Sequence, residues 1–226
     1  MGIDPGLTGR DVLVFGATGA LGSAVAASFA DFGASVRGVD RELPATDRQL
    51  SGVAYDAVDA LDDASLAELF DRVPVPWAVV NTIGGYAPKR PLAELDKTEL
   101  VRQLELNLVS AALITKHALR VMRPAGGGRV VHTASRAATV TAGNGFAYSV
   151  SKLGVLHLVA MAADEMRGTG ITVNCVVPSI IDTPANRKAL PEADHESWPK
   201  ARDLALNYVY LATPDAHLVN GAAIPV

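Results

Sequence analysis

The 226-residue chain has one cysteine, Cys175, so no internal disulfide can form. Its five histidines, His117, His132, His157, His195 and His217, are scattered, and none stands with Cys or a carboxylate at ligand spacing, which argues against a catalytic metal. Twenty Lys and Arg face 24 Asp and Glu, and the basic residues form no run able to neutralise a row of phosphates, so nucleic acid is not an expected partner. No consecutive apolar run reaches the roughly 18 residues of a membrane-crossing helix, so no membrane partner is expected. The first residues show no charged region followed by an apolar stretch and cleavage site, which predicts a soluble protein of the cytoplasm. Aromatic residues are few, at 5%, whereas 49% of the chain is hydrophobic, mostly Ala, Val and Leu. That mixture suits helices packed on buried parallel strands. With no repeat, low-complexity tract or linker, residues 1–226 read as a single domain, preceded by a short flexible lead-in over Met1 to Arg10.

What is present is alternation. Apolar β-type runs near Asp11–Phe15, Ser35–Val39, Val53–Tyr55, Trp77–Asn81, Gly128–Thr133, Thr172–Val177 and Ala222–Val226 alternate with helical spacing. The helical patterns cover about Ala20–Phe32, Ser65–Arg72, Thr98–Met122, Tyr148–Arg167 and Lys200–Ala212. This order predicts an α/β fold: a doubly wound, mostly parallel seven-stranded sheet with helices on both faces. Pro178–Pro199 has no β alternation, and a long Pro-containing connection of this kind suits a cover over a binding site, here residues 179–199.

The first apolar run, Val12-Leu13-Val14-Phe15, leads directly into Gly16-Ala17-Thr18-Gly19-Ala20-Leu21-Gly22 and then into an amphipathic helix. Glycines permit a tight turn, and the following helix N-terminus offers N–H groups and partial positive charge to a pyrophosphate. Gly16, Thr18, Gly19, Ala20, Leu21 and Gly22 are therefore candidate dinucleotide contacts. Asp40 ends the second strand, where a carboxylate can accept the adenosine ribose hydroxyls and repel a 2′-phosphate, so NAD(H) is favoured. Arg41 beside it leaves NADP(H) open. Asp56, with Ala57, is placed to meet adenine, although a turn-capping role suits Asp56 nearly as well.

Tyr148 and Lys152 stand four apart at a helix start and share one face, while Ser135 ends another strand. A nearby ammonium favours the phenolate, so Lys152 is expected to lower the Tyr148 pKa. Ser135 is placed to hold a carbonyl oxygen to which Tyr148 donates a proton as hydride reaches carbon. Cys175 reads as a core residue in an apolar strand.

In order, Gly16–Gly22, Asn81-Thr82-Ile83-Gly84-Gly85, Asn107, Ser135 and Tyr148-Ser149-Val150-Ser151-Lys152 resemble the motifs of the short-chain dehydrogenase/reductase family over nearly the whole chain. The resemblance implies a Rossmann fold and a nicotinamide-dependent oxidoreductase acting on a C=O, a conjugated C=N or the corresponding alcohol of a small molecule. It also implies a homodimer or homotetramer. By that resemblance Asn107 orders a water near Lys152, Lys152 holds the nicotinamide ribose, and Asn81 and Gly84 shape the turn beside the cofactor. Pro178, Ile181 and Thr183 would lie near the nicotinamide. Ser179 stands where the family usually has Gly, and the glycine loop departs from the commonest spacing. Asp182 to Asp194 and Trp198 are similar to quinonoid dihydropteridine reductase-like members, which makes pterin reduction an alternative. Arg187 and Trp198 are candidate substrate contacts. A protein that senses NAD(H) without chemistry is the alternative of another class.

Overall fold

The computed structural model describes residues 5–86, 90–140 and 145–226. Seven parallel strands form one sheet: β1 (Asp11–Phe15), β2 (Ser35–Asp40), β3 (Val53–Ala57), β4 (Ala78–Asn81), β5 (Gly128–Thr133), β6 (Ile171–Val177) and β7 (Ala223–Pro225). Their spatial order is β3-β2-β1-β4-β5-β6-β7, so the direction of winding reverses between β1 and β4. That reversal opens a crevice at the carboxyl ends of the strands, the usual ligand position in such sheets.

Every residue of β4, β5 and β6 is buried. Strands covered on both faces need apolar side chains on both, which is why they read as continuous rather than alternating runs. One face packs under α1 (Ala20–Asp31) and α7 (Ala201–Ala212), with Val12, Val14, Phe29, Val176 and Tyr208 in its core. The other lies under α2 (Asp63–Arg72), α4 (Ser110–Ala125) and α5 (Phe146–Glu165), with Phe15, Leu69, Ile114, Val130 and Cys175 at its centre. By length and composition α5 is apolar enough to cross a membrane; here it is a core helix, its Ser151, Lys152, Val155 and Val159 turned inward against the sheet side.

The lead-in reading is corrected within the described residues. Leu7 is fully buried, and the Arg10 guanidinium lies 3.7 Å over the Trp77 ring, with Arg129 over the same ring at 4.7 Å. Met1 to Asp4 lie outside the described residues. The expected helix Thr98–Met122 is in fact α3 (Lys97–Leu104), a π turn over Glu105–Val109, and α4. A six-residue helix, α6 (Pro184–Ala189), also stands in the connection read as irregular.

Candidate active site

The glycine loop leaves β1 at the winding reversal. Gly16 has φ +79°, and a Cβ on Gly22 would fall 2.0 Å from the Gly16 carbonyl oxygen, so only glycine lets helix α1 start this close to the strand end. Gly19 is the N-cap of α1 and provides no side-chain cap, leaving that helix start to whatever ligand meets it. Thr82 on the neighbouring strand end closes the turn from below by donating to the Phe15 carbonyl at 2.7 Å.

Asp40 reaches this loop. One of its oxygens accepts from the Thr18 amide at 3.1 Å and the Thr18 hydroxyl at 2.6 Å, and the other accepts from the Arg41 amide at 2.9 Å. The oxygen that meets Arg41 has a further lone pair, so the carboxylate still has acceptor capacity for a ribose hydroxyl. Asp56 differs. Both of its oxygens are taken, by Arg37 at 2.6 Å and Arg72 at 2.7 Å. The arginines outweigh partial burial and hold its carboxyl below the usual range. The structure makes Asp56 a tie between β2, β3 and α2, and the sequence-level turn-cap reading gives way to an ion-pair role; Ala57 ends β3 beside it.

The chemical groups converge at the ends of β4 and β5. Ser135, just beyond β5, accepts from the Ala137 amide at 3.2 Å and lies close enough to the Tyr148 phenol to pull its pKa down. One turn along α5 from Tyr148, the Lys152 ammonium donates to the Thr133 carbonyl at 2.9 Å. Burial pushes the Lys152 pKa down to about 8. Burial also raises that of Tyr148, against a lowering contribution from Ser135, and Tyr86 raises it further. The expected depression of the phenol by Lys152 is therefore not found, because desolvation of the phenolate dominates.

Gly84 lies under this cluster. A Cβ there would be 2.9 Å from Lys152 Nζ and 3.0 Å from Asn107 Oδ1, so the missing side chain is what lets those two groups meet the turn after β4. Asn107 is fully buried in the π turn, an irregularity that often marks functional sites in helices. Its Oδ1 accepts from the Gly85 amide at 3.1 Å, while its Nδ2 faces Gln103 Oε1 at 2.9 Å and Ser151 Oγ at 3.0 Å. Asn81 Oδ1 accepts from the Ile83 amide at 2.9 Å and fixes the start of the same turn.

Two groups here were not singled out from the sequence. The Tyr86 ring stands edge-on to Tyr148, with centroids 5.2 Å apart, and its position directly after Gly84-Gly85 was the available signal. Gln103 precedes Asn107 by one helical turn and was hidden by its ordinary helical context. Beyond β6, Pro178 accepts from the Arg136 amide, the Ile181 carbonyl accepts from Asn186, and Thr183 caps α6 through the Asn186 amide at 3.2 Å. Arg187 donates to Asp182 through Nε and Nη2, at 2.6 and 2.9 Å, and Trp198 packs on His195 at 4.7 Å. These two candidate substrate residues are thus engaged within the cover itself. Among the described residues no His, Cys, Asp and Glu group has the makings of a metal site.

A parallel sheet with a glycine-lined helix start at its reversal, and a Ser–Tyr–Lys set beside it, defines an oxidoreductase that works with a bound dinucleotide. Comparison with known proteins agrees. The family model described as "Enoyl-(Acyl carrier protein) reductase" matches residues 16–226, and the chain belongs to the short-chain dehydrogenase/reductase family. A relative, cis-4-hydroxycyclohexanecarboxylate dehydrogenase of Sinomonas cyclohexanicum, is 34% identical over 96% of this chain and 94% of its own length. D-threitol dehydrogenase of Mycolicibacterium smegmatis is 30% identical over 97% of this chain and 92% of its own. A solved short-chain type dehydrogenase/reductase from Mycobacterium ulcerans superposes with a TM-score of 0.89 at 28% identity, covering 97% of this chain and 89% of that one. The chain is an NAD(P)-dependent oxidoreductase acting on an alcohol or carbonyl group of a small molecule.

Proposed function

We propose that the chain interconverts a secondary alcohol and a ketone on a compact organic molecule, prefers NAD(H), and uses Tyr148 as the group that gives and takes the proton. The observation that carries this reading is the partly buried Tyr148 phenol beside Ser135, with Lys152 one helical turn along α5 and bonded to the end of β5. Gly16, Thr18, Gly19, Ala20, Leu21 and Gly22 would hold the dinucleotide phosphates, Asp40 its adenosine ribose, and Lys152 its nicotinamide ribose. Pro178, Ile181 and Thr183 would border the nicotinamide, which when bound supplies or accepts hydride.

The residues divide the remaining work. Ser135 orients the substrate oxygen by hydrogen bonding. Tyr148, protonated at neutral pH as any phenol is, donates to that oxygen in the reducing direction. Lys152 keeps a positive charge close by, and Asn107 with Gly84 fixes where that charge stands. Residues 179–199 cover the substrate, with the Arg187–Asp182 pair stiffening the cover. The half-exposed Leu153 and Met161 on α5 support a homodimer or homotetramer, and a cytoplasmic location belongs to the same proposal.

The test is turnover of NADH and NADPH with cyclic ketones, sugar alcohols, quinones and a quinonoid dihydropterin. Tyr148→Phe should bind cofactor almost normally while losing about two to four decades of turnover, the usual size of general acid catalysis. Lys152→Ala should lose turnover and weaken cofactor binding as well. Near-normal turnover by Tyr148→Phe, with chemistry rate-limiting, overturns the assignment. Tight cofactor binding without turnover on any compound would favour the sensing role instead, and activity confined to the pterin would favour the dihydropteridine reductase-like one.

A further inference from the structure

His132 is completely buried one residue before the end of β5, on the strand that delivers Ser135, yet it lines no surface and touches none of the proton-transfer groups by hydrogen bond. Its two ring nitrogens have partners on different elements. Nδ1 lies 3.3 Å from Asn81 Nδ2 at the end of β4, and Nε2 lies 2.8 Å from Thr115 Oγ1 on α4.

The hydrogens of this chain follow by elimination. The Ile83 amide can only donate, so the Asn81 atom it meets at 2.9 Å is the amide oxygen, and the NH2 group must point to His132. An NH2 group can only donate, so His132 Nδ1 carries a lone pair. A neutral imidazole then has its proton on Nε2 and donates it to Thr115, whose own hydroxyl proton goes to the Ala111 carbonyl at 2.7 Å. Every donor meets an acceptor. The order is Ile83 N–H to Asn81, Asn81 to His132, His132 to Thr115, and Thr115 to the backbone of α4.

We infer that His132 is a positioning residue for the reaction: locked as the neutral Nε2–H tautomer, it holds the Asn81 amide in the one orientation that fixes the turn carrying Gly84 and Gly85 against Lys152 and Asn107. Without the Nδ1 acceptor the Asn81 amide is free to turn over, and the Ile83 amide would then face an NH2 group. The turn would lose the anchor that holds Ile83, the residue directly before Gly84. Because Gly84 has no slack toward Lys152 Nζ, a shift there moves the ammonium and Asn107 together. The inference rests on the proposed role of Lys152, and its tautomer can be measured without reference to activity.

Two substitutions separate positioning from packing. His132→Asn sets an amide oxygen near the site of Nδ1 and keeps an acceptor for Asn81, while losing Thr115. His132→Gln reaches toward Thr115 and leaves Asn81 without its acceptor. Both should lower the melting temperature, but the Gln variant should lose about tenfold to a hundredfold in kcat, as misplaced catalytic groups do, while the Asn variant keeps most of it. Equal losses in kcat, or losses that follow melting temperature alone, overturn the proposal. If neither variant folds, ¹⁵N NMR of imidazole in the unmodified protein decides: one buried ring should show a protonated Nε2 and a bare Nδ1 at neutral pH, and the opposite tautomer or an imidazolium refutes it. Failure of the underlying reading would show separately, as a Tyr148→Phe enzyme that still turns over.

Discussion

Single residues decide cofactor choice. Asp40 is held in place by Thr18 and the Arg41 amide, so its charge is fixed at the mouth of the glycine loop rather than swinging in solvent. Fixed negative charge repels a 2′-phosphate at short range, and Arg41, whose backbone is engaged while its side chain is exposed, is the only immediate neighbour in sequence with the opposite sign. Asp40→Ser should therefore shrink the preference for NADH over NADPH by about tenfold or more, chiefly through tighter NADPH binding, since one lost charge repulsion of 1.4 kcal/mol already changes an equilibrium constant about tenfold. The check is kcat/KM for both cofactors. An unchanged ratio would mean that another residue reads the ribose. At this scale the sequence is highly legible: a carboxylate after the second strand and a Tyr four before a Lys are chemical signals in themselves. The raised phenol pKa was not legible, because it depends on how far the fold shields Tyr148 from water and on Tyr86 standing beside it.

At the scale of elements, the glycine loop shows what spacing alone conveys and where it stops. Four consecutive apolar residues followed by closely spaced glycines predict a strand, a tight turn and a helix, and all three are present. Spacing does not reveal that Gly22 touches the Gly16 carbonyl, a contact between the first and last members of the loop. Gly22→Ala should force the turn apart, costing about 1–3 kcal/mol in stability as overpacked sites do, and should weaken dinucleotide binding further by moving the start of α1. Gly145→Ala, at the N-cap of α5, is the control, because among the described residues an added Cβ there meets nothing within 4 Å. Calorimetry with and without cofactor reads both effects; a Gly22→Ala protein as stable and as tight-binding as the control would contradict the close approach. The π turn at Glu105–Val109 escaped notice for a related reason. One extra residue in a helical turn shifts the apolar pattern only slightly, and its signature, the buried Asn107, looks like any polar interruption. In the cover, by contrast, Thr183 followed by Pro184 was a legible helix start, overlooked because six residues give too short a period to register.

At the scale of the whole molecule, buried ionisable groups make stability depend on pH in separable windows. Burial, with the Lys152 charge adding to it, lowers the His132 pKa from 6.5 to about 4. In the unfolded chain this histidine takes up its proton near 6.5, whereas the folded protein resists it until about 4, so the unfolded state binds more protons between those values. The folded state is therefore destabilised as pH falls from 6.5 toward 4, by about 3 kcal/mol over the full window at 1.36 kcal/mol per unit. The carboxylates of Asp56, Asp63 and Asp182, whose ion pairs hold their pKa values below 3.8, lose their contribution only under more acidic conditions. On the alkaline side, Lys152 is neutralised near 8 when folded and near 10.5 when unfolded, which favours the folded state as pH rises through that interval. Cys175, pushed up to about 12 by burial, opposes it above 9, because the unfolded thiol ionises first. Urea unfolding of the cofactor-free protein from pH 4 to 8 should accordingly show a slope approaching one proton between pH 4 and 6.5, and that proton should be missing in His132→Asn. A slope of the same size in the variant would place the uptake at another group, because the four remaining histidines would then have to supply it.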